Sequence, residues 1–140
     1  MPAGWPMQTD RDVIEPFVRG TLGCGCPDEV FRHIELASCG DVPGEPPFSR
    51  LLVGGRLLIY LVADVGAGDP TAAVARLTRR GLAERDAGGY HRFRLAACIE
   101  PGTPEAAAAA TAFRAVAGDD DRAHLHCLAA ASLPPGLVPP

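Results

Sequence analysis

The strongest pattern along the chain is a continuous apolar run, Leu57-Leu58-Ile59-Tyr60-Leu61-Val62-Ala63, of the kind expected for a strand covered on both faces. Leu51-Leu52-Val53 precedes it across Gly54-Gly55, a signal of a tight turn or a bulge. Asp69-Pro70 opens a helix with Asp69 as N-cap and with Ala73, Val74, Leu77 and Leu82 on its inner side. Gly88-Gly89 then turns the chain into a strand from Tyr90 to Ile99. Thr103-Pro104-Glu105 starts a further helix that Gly118 ends, and Ala123 to Ala129 forms the last strand.

Earlier in the chain, Asp12 and Glu15 have capping-box spacing. Val13, Phe17, Val18 and Leu22 recur at helical intervals behind them, and Gly20 and Gly23 close this first helix. Pro27 with Asp28 and Glu29 begins a short second helix, followed by an extended segment over residues 33–38 that adds antiparallel at a sheet edge. Strand, helix, strand, helix, strand with short connections implies two crossovers and a parallel core of three strands. The fold expected is an α/β sandwich: a mixed sheet of four or five strands with a mostly parallel core and an antiparallel edge, carrying two to four helices. Ferredoxin-like and thioredoxin-like arrangements are the competing topologies.

Length and composition fit one domain over residues 1–140, with a core over about 10–131 and irregular tails at 1–8 and 132–140 that are punctuated by proline. A net charge of −4 gives no footprint for nucleic acid. Arg79-Arg80, Arg92 and Arg94 sit among acidic residues or alternate along a strand, as on a solvated face. The apolar run at 57–63 is far short of the roughly 20 residues a bilayer span needs, and the first six residues lack the basic and apolar regions of a secretory signal. With 5 cysteines and no such signal, the expectation is a cytoplasmic protein without a disulfide framework, binding neither nucleic acid nor membrane. A protein partner or a second copy would be called for if one face of the sheet stood open.

The candidate chemistry is Cys24-Gly25-Cys26-Pro27. Two thiols at a helix start meet unpaired N–H groups and a partial positive charge, which favour a thiolate, while Asp28 and Glu29 oppose it. The pair could ligate one soft transition metal (zinc, copper or an iron–sulfur centre) or cycle between dithiol and disulfide, with Cys26 as nucleophile and Cys24 resolving. His124 and His126 flank Leu125 and share one face of the last strand, so they are the candidate additional metal ligands. A Cys-x-Cys pair lacks both the second ligand pair of structural zinc and the two-residue spacer of the usual redox motif. The competing reading is therefore a non-enzymatic binding or assembly module whose cysteines are structural. Cys98, between Ala97 and Ile99, reads as core packing, and Asp119-Asp120-Asp121 as a solvated turn. Signatures of phosphate loops, serine hydrolases and zinc proteases are missing from the sequence.

The stretch from Leu22 to Phe31 resembles a motif of the form Leu-Gly-Cys-x-Cys-Pro-x-Glu-Val-Phe found in small uncharacterised prokaryotic proteins. The resemblance implies that the cysteine segment is a recurring unit and implies no activity.

Overall fold

The computed structural model describes residues 14–23, 31–39, 46–65 and 70–133. The proposed Asp12 and Asp69 caps, the Pro27 helix start, Cys24 and Cys26 lie outside them. A helical segment over residues 14–21 (α1) ends in an i→i+5 turn over Phe17–Thr21, closed by Leu22 N–H donating to Phe17 C=O at 2.9 Å. Strands β1 (Ile34–Cys39), β2 (Phe48–Val53) and β3 (Leu57–Val62) follow. Then come α2 (Pro70–Gly88), β4 (Arg92–Cys98), α3 (Pro104–Ala117) and β5 (Ala123–Leu128).

The five strands lie in chain order, β1-β2-β3-β4-β5. The first three form an antiparallel meander, and β3, β4 and β5 run parallel. The α/β architecture, the three-stranded parallel core and the antiparallel edge all match the sequence expectation. Gly54 and Gly55, with φ of 64° each, make the β2–β3 turn, a conformation that side chains with a Cβ rarely adopt. Arg56 carbonyl then accepts from both His91 N–H (2.8 Å) and Arg92 N–H (3.1 Å), which seats the start of β4 beside that turn. Thr103 caps α3 by accepting from Ala106 N–H at 3.2 Å, and Gly118 (φ 60°) ends it.

Alternation divides the side chains between two faces. On the first, Phe48, Leu52, Leu58, Tyr60, Val62, Phe93, Leu95 and Ala97 pack under α2 and α3, which contribute Val74, Leu77, Ala109, Phe113 and Ala117. The Tyr60 hydroxyl and the Arg50 guanidinium both donate to the carboxylate of Glu84, joining β2 and β3 to α2. Burial and then Glu84 push the Tyr60 phenol up from its ordinary pKa, so it remains a donor. On the second face, Leu51, Val53, Leu57, Ile59, Leu61 and Ala96 pack under Ile14, Phe17, Val18 and Leu22 of α1 and under Phe31. All six residues of β3 are buried, because both faces of it are covered.

The expected solvated turn at Asp119–Asp121 is instead structural at its centre. Asp120 accepts from Arg85 Nη2 at 2.6 Å and from Arg122 N–H at 2.9 Å, and the Arg85 hydrogen bond holds its carboxyl below the usual range.

The α2–β4 contact turns on one glycine. A Cβ on Gly81 would stand 2.1 Å from Phe93 Cζ, and Phe93 is fully buried and cannot swing away. Gly81→Ala should therefore lower stability by about 1–3 kcal/mol in urea unfolding, overpacking outweighing the helix preference of alanine. Gly20 faces open space at negative φ, and Gly20→Ala should be neutral or stabilising by up to about 1 kcal/mol.

Candidate functional site

The second face changes character where α1 stops. On β4 the residues facing that side are Arg92, Arg94, Ala96 and Cys98, and on β5 they are His124, His126 and Leu128. The parallel register sets Arg94 beside His124 and Ala96 beside His126. Two arginines and two histidines thus occupy one corner of the sheet.

Arg94 organises it. Its Nη1 donates to Leu22 C=O at the end of α1 and to His126 Nε2, at 2.8 Å in each case. A guanidinium has no acceptor, so His126 must accept through Nε2 and carry its proton on Nδ1. Burial first, and then the charges of Arg94 and His124, push the His126 pKa down to about 4. Burial likewise lowers His124, with contributions from Arg94, Arg114 and Arg92. Both imidazoles are therefore neutral at pH 7, and the net charge of the corner is that of its arginines.

The sequence placed Arg92 and Arg94 on a solvated face. Arg92 is exposed, but Arg94 is only 7% exposed. The reason lies in the neighbouring strand: a layer thick enough to cover β3 on this side extends over the middle of β4 as well. Arg85, at 4% exposed, is the other buried arginine among the described residues, and Asp120 and Asp86 accompany it at 2.6 and 3.0 Å. Among the described residues Arg94 has no carboxylate partner, and its Nε has no hydrogen-bond partner. Burial and the nearby Arg92 lower its pKa.

His124 and His126 share a face, as alternation requires. Among the described residues no group of three or more His, Cys, Asp or Glu side chains comes together. His126 Nε2 is occupied by Arg94, so a cation held there would have to displace a guanidinium and sit beside two positive charges. Cys24 and Cys26 lie outside the described residues, and chain connectivity alone relates them to the corner: Cys24 is two residues past Leu22. Cys98 stands half-buried on the second face, less enclosed than core packing implied. Cys127 points to the first face, where burial pushes its thiol up and disfavours the thiolate. No described helix is long and apolar enough to cross a membrane.

Comparison with protein-family models, with curated proteins and with solved structures finds no match.

The depressed histidines set a pH window. The unfolded chain binds protons near the ordinary value of 6.5, and the folded chain does so only further down, near 4 for His126. Between those values the unfolded state holds more protons, so stability is complete above about pH 6.5 and falls as the pH drops toward 4. Urea unfolding across this range should show a loss on the order of 2 kcal/mol, and His126→Gln should flatten most of it. Nitrogen NMR of the His126 ring should show the Nδ1–H tautomer throughout the neutral range.

Proposed function

We propose that the protein is a small thiol protein that works through the Cys24-Gly25-Cys26-Pro27 turn as a dithiol/disulfide couple. The observation that carries this reading is Arg94 at the end of α1, a buried guanidinium with no carboxylate partner among the described residues. The Leu22 carbonyl rests on Arg94, and the cysteine turn begins two residues later. A cation without a carboxylate lowers the pKa of a thiol in its vicinity, because it stabilises the thiolate that does the chemistry. The same positive field disfavours a metal cation, and for that reason thiol exchange is preferred here to soft-metal binding.

In the reaction, the Cys26 thiolate attacks one sulfur of a substrate disulfide and expels the other as a thiolate, leaving a mixed disulfide. Cys24, deprotonated in turn, attacks Cys26 Sγ, which releases the second substrate thiolate and leaves a Cys24–Cys26 disulfide. The substrate gains two electrons and the protein loses two. Arg94 acts as a positioning residue for the turn through Leu22 and as a fixed positive charge.

Native mass spectrometry of anaerobically purified protein tests the reading, with Cys24→Ser/Cys26→Ser as control. Treatment with a small disulfide should give a species about 2 Da lighter, restored by reduction and absent from the control. A metal or cluster mass lost in the control would replace thiol exchange by a soft-metal site. Unmodified thiols in both proteins would leave the cysteines structural and favour a binding or assembly module.

A further inference from the structure

The corner of β4 and β5 has a property that the thiol reading does not require. A buried guanidinium without an anion is strongly unfavourable, because its lost hydration is not recovered by a paired charge. Arg85 has carboxylates in Asp120 and Asp86, although its Nη1 is left without a hydrogen bond, and Arg94 has no equivalent carboxylate among the described residues. Its Nη1 is saturated by Leu22 C=O and His126 Nε2, and these two bonds fix the plane of the group. The unpartnered Nε–H belongs to the opposite, Nε–Nη2 edge, whose parallel N–H groups match two oxygens of one oxyanion.

The surroundings suit the same ligand. Arg92 is the next residue on this face of β4, roughly 7 Å along the strand, and His124 lies beside Arg94 in the register. The ion pairs among the described residues leave both Arg92 and Arg94 without a carboxylate. His126, accepting from Arg94 through Nε2, keeps an Nδ1–H donor. Two unit charges with neutral imidazoles around them favour a doubly charged group over a single carboxylate.

We propose that this corner is an oxyanion-binding site in which the Nε–Nη2 edge of Arg94 receives a phosphate or sulfate group, with Arg92, His124 and His126 bordering it. The group arrives either as the free ion or as part of an ester. The anion supplies the charge that no described residue gives Arg94, so binding and the stability of the corner are linked.

Proton–nitrogen NMR of the arginine Nε–H groups tests the site directly. Inorganic phosphate or sulfate, titrated at constant ionic strength against chloride, should move the Arg94 Nε–H resonance saturably, while that of Arg50, held by Glu84 on the first face, stays in place. Acetate should bind at least roughly threefold more weakly. Arg92→Gln, a change at an exposed position, should weaken phosphate by roughly threefold, and Arg94→Lys should abolish saturation. Tighter binding of phenyl phosphate than of inorganic phosphate assigns the site to an esterified group; equal or weaker binding assigns it to the free ion. A shift of Arg94 Nε–H that is linear, or that chloride reproduces, overturns the proposal. Repeating the titration in Cys24→Ser/Cys26→Ser separates it from the thiol reading. If phosphate is without effect in both proteins and the double substitution alone moves the Arg94 resonance, the thiolate is the partner and the oxyanion site falls. If saturation persists in the substituted protein, the site stands whatever the cysteines do.

Discussion

Everything in this fold answers to one strand. Leu57–Val62 presents six apolar residues in succession, and alternation sends three of them to each side of the sheet. Burying such side chains contributes roughly 1.5–3 kcal/mol apiece, so neither face can be left to water. The chain meets the demand with β2 and β4 on its flanks, α2 and α3 above one face, and α1 with Phe31 above the other. The crossover helices come with the parallel strands. The second layer has to be supplied separately, by the stretch before the sheet.

That second layer is the smaller one, and its limit decides where polar chemistry can sit. Two long helices span the first face, whereas α1 is a short segment whose apolar residues reach β2, β3 and Ala96 of β4. Beyond it the second face turns to Arg92, Arg94, His124 and His126. The seam between apolar cover and polar corner is closed by a single side chain. Arg94 binds the carbonyl at the end of α1, where the partial negative charge of the last turn favours a cation, and holds His126 with the same nitrogen. The corner is thus part of the layer packing as well as a place for chemistry.

Much of the fold was legible because its signals are local. The β3 run, the glycine pair before it, the Thr103 cap and the Gly118 stop each act within a few residues, and short connections made the parallel core follow. The i→i+5 turn at the end of α1 had no such signal: Phe17 and Leu22 fit an ordinary helix as well. The candidate site was legible only in part. Alternation put His124 and His126 on one face, but their common neighbour is Arg94, 32 residues from His126 in the chain. An arginine between Phe93 and Leu95 reads as solvated when its strand is considered alone. It becomes buried once the strand beside it demands a roof, and periodicity within one segment does not carry that information. Asp120, in the turn between α3 and β5, shows the same gap, since its partner Arg85 lies on α2, 35 residues earlier in the chain.

The order of the strands has a bearing on how the molecule assembles. Each strand pairs with the one before it in the chain, so no strand has to be inserted between two that are already joined. As the polypeptide emerges from its N-terminal end, the sheet can lengthen at one growing edge, each addition closing only a hairpin or one helix-length loop. Such a route keeps loop-closure entropy small at every stage and favours fast folding among sheet proteins of this size. It also leaves β5 as the last edge to be laid down, so the imidazoles reach the guanidinium only when the sheet is complete.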